Sequence, residues 1–502
     1  MDEHDAAVRL IAEAVRDHHS RREPFRIFHG ATSSTRPPHG QRVVDISALR
    51  RVLRVDAAAA AAVVEPNVPM DDLVAATLRC GMLPPVVMEF PGITCGGGFA
   101  GSAGESSSFR HGYFDETVRS VEMVLANGDV VTASDAENPD LFRGAAGALG
   151  TLGIVTRLEL RLLPARRFVK VSYHSYSTIP EAVAAIRRET ALAHNDYVEG
   201  LVFSRTSAAV VTGHLTDDLP DKCRPRTFRR PRDPWFYLHA RKRIANGTPT
   251  PDYVPLQDYL FRHDRGAFWM GELAFRYFAF VPFNRFTRRA VDALMDTRTL
   301  YKAGLGGLGA GGSGRMTFRY LVHDLSLPYT TAQDFIDYVA DTLEIWPLWL
   351  CPLRALASTP SFHPYTTEPG GDGDGNGNGN GNGEGNAVTQ PMLNVGVWGP
   401  SSKKIDRFVR QNRDLEAKLA DLGGRKVLYS HAYYTEKEFW DVYDREWYAA
   451  LRERYGATSL PTVFDKVTVD VGRERERKSL RDRVAVSWPF AGLIGVWSAI
   501  RK

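Results

Sequence analysis

Backbone amides free of large side chains are the first chemistry this sequence offers. Three loops hold them: His29 to Arg36 (HGATSSTR), Phe90 to Gly112 (FPGITCGGGFAGSAGESSSFRHG) and Gly147 to Val155 (GALGTLGIV). Such loops let the backbone approach a phosphate or a flat ring closely. Three of them in one domain fit one extended ligand; tight turns in a strand-rich domain fit the same composition. The pattern G-x-G-x-x-G occurs twice, at Gly96-Gly98-Gly101 and at Gly304-Gly306-Gly309. A dinucleotide fingerprint needs a strand before those glycines and a helix after, so that the helix N-terminus meets the pyrophosphate. The first match follows PGITC and runs into SAGESSSFRHG, which is no regular helix; the second sits in a glycine-rich linker. Neither is read as a Rossmann site.

Metal and thiol chemistry are not indicated. Cys80, Cys95, Cys223 and Cys351 have no CxxC spacing, so no disulfide framework or zinc ribbon is read, and a reducing compartment is the default. Asp372, Asp374, Asn376 and Gly377 imitate a calcium loop, but its twelfth position is Gly383, Glu384 falls one residue late, and no helices flank it. The expected set of metal ligands is empty. From Arg224 to Arg243 eight arginines and lysines alternate with aromatics. A solvated face and an anionic membrane surface, with Trp235, Phe236 and Tyr237 at the headgroups, are both open readings. Nucleic acid is not expected, because no nucleic-acid fold accompanies the charge. Val484 to Ile500 carries no charge, is slightly short for a spanning helix and is interrupted by Pro489. It reads as a membrane-interface segment or as a strand or helix docked on the core.

The elements that position these residues are legible in outline. Residues 5–20 have helical apolar spacing. FRIFHG, VVDISAL and AAAVVEPNV read as strands, and Met70 to Arg79 as a helix closed by Gly81. SVEMVLANGDVVTA reads as a hairpin with a type I′ turn at Asn127-Gly128. GTLGIVTRLELRLLPA alternates into a strand that Pro164 ends. Residues 166–215 mix strand and helix, and from 288 to 345 two helical patterns flank GLGGLGAGGSG. Residues 370–386 are a low-complexity glycine-asparagine insert, expected to be a disordered loop. MLNVGVWG reads as a strand, 402–422 as an amphipathic helix and 473–483 as a charged helix. At 502 residues two to three domains are expected, and 43% hydrophobic content supports a sizeable core. A net charge of +4 is too near neutral for a nucleic-acid coat. The acidic, amphipathic N-terminus does not read as a signal peptide.

Residues 25–170 resemble the FAD-binding domain of the vanillyl-alcohol-oxidase/p-cresol-methylhydroxylase (PCMH) superfamily. The chain to about residue 467 resembles more closely the delta(24)-sterol reductases, the seladin/diminuto-type flavoproteins. The resemblance rests on GESSSFRHGYF, VEMVLANGDVV, ENPDLF, GTLGIVTRLELRLLPA, YVEGLVFS, PWFYLH, DYVPLQDYLFRHDRGAFW, WPLWLCP and EFWDVYD, in that order. It implies an α+β fold. A two-subdomain FAD-binding domain of the PCMH type covers 1–165 and an α/β substrate cap covers 166–425. Residues 426–470 return to the flavin, and 471–502 form a charged, then apolar tail. Gly30, Ala31, Thr32, Ser33, Ser34 and Thr35 are implied to wrap the FAD pyrophosphate. Gly92, Thr94, Cys95, Gly96, Gly97, Gly98, Gly101 and Ser102 are implied to run along the flavin, with Glu105, Ser106, Ser107, Ser108 and Gly112 continuing that wall. Gly150, Thr151, Gly153, Ile154 and Val155 are implied to hold the adenosine side. His29 and Cys95 do not stand at the positions of covalent flavin motifs, so non-covalent FAD is expected.

The implied reaction is reduction of a C=C double bond in a sterol or related isoprenoid, with NADPH as electron donor. Hydride and proton must reach adjacent carbons, so the protein must supply an acid. Tyr433 and Glu89 match the reductase pattern as proton donors; His431 does not match it but lies on the same returning segment as Tyr433, and Lys466 is placed near the flavin by position alone. Phe268, Trp269, Trp346, Trp349 and Tyr434 are candidates for an apolar lining or for plain core packing. The resemblance also implies a lipophilic small-molecule partner. It implies an intracellular, membrane-associated location, with the endoplasmic reticulum as one candidate. The basic stretch and the C-terminal tail are the candidate contacts. An FAD-dependent oxidase using oxygen, and a membrane-surface binding protein without catalysis, are the alternative readings.

Overall fold

The computed structural model describes residues 2–30, 42–247, 250–278, 280–300, 320–356, 362–366, 389–402 and 404–469. Its fold is α+β and is organised by two antiparallel sheets. The smaller has five strands in the order Val52–Asp56, Ala61–Val64, Gly153–Arg161, Val118–Leu125, Val130–Ser134. Ile154, Leu158 and Leu160 alternate with half-buried neighbours, as one buried face of a sheet requires. The helix Asp2–Ser20 packs Val8, Ile11, Ala12 and Val15 into the same core. Its buried His4 bridges Glu65 at 2.9 Å and Glu122 at 3.0 Å.

The larger sheet has eight strands, in the order Asp252–Pro255, Phe168–Tyr176, Ser207–Thr216, Tyr197–Ser204, Leu348–Leu353, Met392–Pro400, Tyr320–Pro328, Arg425–Lys426. Its central strands are buried on both faces, and alternation divides them between two cores. Leu348 and Leu350 join the helices Ile179–Thr190, Tyr329–Thr342 and Ile405–Asp421. Trp349, Cys351 and Leu353, interleaved with them, point into the core shared with the five-stranded sheet. The helices Glu436–Val442, Arg445–Arg454 and Val463–Val467 then return to the smaller sheet, where the Tyr448 hydroxyl donates to Thr151 Oγ1 at 2.7 Å.

Several expectations are corrected. The hairpin forms, but its loop is Ala126-Asn127-Gly128, and of these only Gly128 has a positive φ, 86°. A three-residue loop with a left-handed glycine replaces the type I′ turn. The glycine run itself is helical from Cys95 to Ala100. The short helices Arg285–Ala290 and Thr297–Leu300 precede the second glycine run, and the strand Tyr320–Pro328 separates that run from the helix after it. Trp235, Phe236 and Tyr237 are at most 2% exposed, because their rings pack on Phe275, Phe228 and Trp269. They are not available to headgroups. The insert 370–386, the Gly304-Gly309 run and the tail from 471 lie outside the described residues. No helix among the described residues is long and apolar enough to cross a membrane.

Candidate functional site

Residues of both sheets line one cleft of about 1000 Å³, at the top of the range for small-molecule sites. One wall is the small-residue loop. Thr94 caps its helix, with Oγ1 accepting from Gly97 N at 3.1 Å, while Cys95 N and Gly96 N are tied to Val68 O and Pro66 O. Gly98 faces away from the cleft: a Cβ there would lie 2.7 Å from Met88 Cε and 2.8 Å from Phe114. Only glycine lets this helix sit so close to the core. Gly92, Thr94, Gly96, Gly97, Gly101 and Ser102 line the cleft from this side. Gly30, Gly150, Gly153, Ile154 and Val155 line it from the two other loops. Lys466 holds the third loop, its Nζ donating to Leu149 O at 2.8 Å and Gly150 O at 3.4 Å.

Five cleft-lining residues carry a buried polar atom without a protein partner: Arg26 Nε, His29 Nδ1, Glu89 Oε1, Ser102 Oγ and Trp398 Nε1. Burial lowers the proton affinity of Arg26 and of His29. Unmet donors beside a glycine-lined wall fit a group that brings phosphates and a planar ring. Ala31, Thr32, Ser33, Ser34 and Thr35 lie outside the described residues.

Other residues expected at the cofactor stand behind this wall. Cys95 is fully buried, and burial pushes its thiol up, so it is no thiolate. Thr151 donates to Ala148 O at 2.8 Å. Gly112, with φ 79°, closes the short helix Ser108–His111. Glu105 to Ser108 join the two sheets. Ser106 O accepts from Val198 N, Ser106 Oγ accepts from Arg262, Cys351 Sγ donates to Glu105 O, and Ser108 O accepts from Arg354 N.

The opposite wall is aromatic. Phe268, Trp349 and Trp398 line the cleft; Phe268 and Trp398 have ring centroids 4.7 Å apart. Trp269 supports them from behind, its indole N–H donating to Trp398 O at 2.8 Å. Trp346 packs against the second core and Tyr434 against Phe439.

Of the carboxyl groups that line the cleft, two have a raised proton affinity. Glu89 is 6% exposed, and its Oε1 has no partner. Burial, then the charge of Glu105, hold its proton affinity well above the usual carboxyl range, against the pull of Arg262. Glu105 is raised as well, by burial. Of the pair, Glu105 is the better anion, because it accepts from the Ser106 and Ser107 hydroxyls, whereas Glu89 Oε1 has no partner. Glu89 is therefore the neutral acid. Asp324 is the second carboxyl. Burial raises it to about 6, against hydrogen bonds from Asn394 (3.0 Å) and Tyr429.

The other two expected acids lie elsewhere. Tyr433 is buried in the second core, 6.0 Å from Phe408, with its backbone N–H on Glu416. His431 offers its carbonyl to Lys426. Tyr429, two residues before His431, lines the cleft instead. Asn394, Trp398 and Asp324 were not expected here. A signal did exist: Asn394 and Trp398 share one face of a strand, and Asp324 pairs in register with Gly396 between them.

Residues 7–134 match the family model described as an FAD binding domain. The Delta(24)-sterol reductase of Homo sapiens is 28% identical over 423 residues, covering 84% of this chain and 76% of that protein. That of Pisum sativum is 27% identical over 457 residues, covering 87% and 77%. Cytokinin dehydrogenase 6 of Oryza sativa subsp. japonica is 34% identical over 215 residues, 40% of this chain and 41% of that one.

Proposed function

We propose, for a chain that is an FAD-dependent oxidoreductase with Delta(24)-sterol reductases among its homologues, that it reduces an isolated C=C bond of a sterol or related isoprenoid, with NADPH as the electron donor. The observation that carries the reading is Glu89: a neutral carboxylic acid with a free oxygen, on the same cleft as a glycine wall and three aromatic rings. FAD, held without a covalent link and reduced by NADPH, would supply the hydride. Glu89 holds the matching proton at its carboxyl and gives it to the adjacent carbon. Phe268, Trp349 and Trp398 bind the apolar substrate and exclude water. Arg26, His29 and Ser102 offer their unmet donors to the cofactor, and Lys466 fixes the loop around Gly150. The reading includes peripheral membrane contact through the exposed arginines of 224–243 and through the tail from 471, at an intracellular membrane such as the endoplasmic reticulum.

The test is an anaerobic absorbance titration of the purified protein with NADPH, followed by chromatography of sterols and terpenoids carrying an isolated alkene. Bleaching of a bound-flavin spectrum and a product heavier by two hydrogens are expected. A flavin spectrum that persists under NADPH, with peroxide formed from substrate and oxygen, overturns the reductase in favour of an oxidase.

A further inference from the structure

Two phenylalanine rings stand in solvent on the segment that connects cleft-lining Phe268 to cleft-lining Arg298. Phe280 is 68% and Phe286 65% exposed; with Leu10 they are the most exposed large apolar side chains among the described residues. Their neighbours are cationic. From Leu273 to Val291 the chain has Arg276, Arg285, Arg288 and Arg289 and no acid. Arg289 donates to Arg232 O at 3.5 Å, and the Arg288 guanidinium lies 5.5 Å over the Trp235 ring. The segment thus sits against the arginine-rich stretch, whose Arg229, Arg230, Arg232 and Arg241 are exposed.

The acids nearby are already engaged. Glu272 accepts from Tyr237 and Arg276, Asp233 accepts from Arg230 N, and Asp292 pairs with Arg265. The face therefore presents positive charge around two apolar rings. It is also held in shape: Asn284 Oδ1 accepts from Phe286 N at 2.8 Å and Thr287 N at 3.1 Å, fixing the helix start that carries Phe286.

We propose that this face docks on an anionic lipid surface, with Phe280 and Phe286 entering the headgroup layer and the surrounding arginines meeting lipid phosphates. Aromatic insertion combined with basic side chains is the chemistry of interfacial attachment. The proposal deepens the membrane part of the reading above, but it does not depend on which bond is reduced. The buried Trp235, Phe236 and Tyr237 serve as the platform under the arginines, not as the anchors.

The test is co-sedimentation of the full chain with phosphatidylcholine vesicles, with and without about a third phosphatidylserine. Wild type is expected to sediment with the anionic vesicles and to be released by salt. The double variant F280S/F286S is expected to lose about tenfold or more in partition, with unchanged flavin content and circular dichroism. R285Q/R289Q, which spares the rings, is expected to weaken binding to anionic vesicles only. Unchanged partition of F280S/F286S overturns the docking face while leaving the enzymatic reading intact. Equal wild-type binding to both vesicle types overturns the anionic requirement. A concentration-dependent dimer that F280S/F286S abolishes replaces the lipid with a second copy of the chain.

Discussion

The Arg262 guanidinium donates to the Ser106 hydroxyl at 3.0 Å across 156 positions of sequence. Ser106 belongs to the loop that forms the glycine wall, and Arg262 to the body built on the eight-stranded sheet. Arg262 also pairs with Glu199 at 2.9 Å, and Glu199 accepts from His263 and Trp349. Trp349 lines the cleft, so the same buried network that joins the bodies also sets an aromatic wall.

Arg262→Leu is expected to destabilise the protein by about 3–5 kcal/mol, because it leaves Glu199 buried without its cation. Urea denaturation of the flavin-loaded protein measures this. Burial raises Glu199, but Arg262 and His263 outweigh it and leave it near 2, below its ordinary value of 4.5. Its folded-state value is depressed, so its contribution is present above about pH 4.5 and lost as pH falls toward 2. In R262L that acid-side loss should shrink; an unchanged profile argues against the pairing.

Glu89→Gln is expected to lower product formation by about 10²–10⁴-fold. Flavin content and the rate of NADPH bleaching should stay near wild type, since the variant removes only the proton. Stopped-flow absorbance and product chromatography separate the two half-reactions. Loss of both together would make Glu89 a structural residue.

Gly98→Ala places a methyl against Met88 and Phe114, at a cost of about 1–3 kcal/mol. The short helix Cys95–Ala100 must shift toward the cleft. Weaker flavin retention on desalting is expected, beyond the loss of thermal stability, whereas Gly81→Ala should leave flavin retention untouched, since Gly81 meets nothing within 4 Å of a Cβ.

Asp324→Asn keeps an acceptor for Asn394 and Tyr429 and removes a buried charge. Burial raises Asp324 from 3.8 to about 6, so the fold loses stability as pH climbs between those values. The variant is expected to gain up to about 3 kcal/mol at pH ~8 and nothing at pH ~3.5. Denaturation curves at both ends decide it; an equal change at both pH values would sink the charge argument.

Local pattern made part of this molecule readable. The strand Gly153–Arg161 follows from alternation, and the small residues of Gly92 to Ser102 stand out in composition, which fits tight turns as well as the cleft wall they form. What stayed hidden depends on facing. Glu105 to Ser108 have the residue types of a cofactor loop, yet they face the second sheet, and composition does not encode which side of a loop is wet. In the helix Phe236–Ala245, Phe236, Tyr237, His239 and Ala240 are buried while Arg241 and Lys242 are exposed. The mixture of bases and aromatics resembled an interface until the rings turned inward. Asn394 and Trp398 share one strand face, but Asp324 meets them only through strand register between distant segments, which no short window of sequence contains.

The grip of Lys466 on Leu149 and Gly150 spans 317 positions and sets an order of events during synthesis. The three glycine loops that line the cleft leave the ribosome early, and the eight-stranded sheet follows before the clasp exists. A flavin met during synthesis would therefore find the cleft without this clasp until the final helices arrive. Truncation between Lys426 and Lys466 should leave a chain that keeps every strand of both sheets and samples its flavin without retaining it.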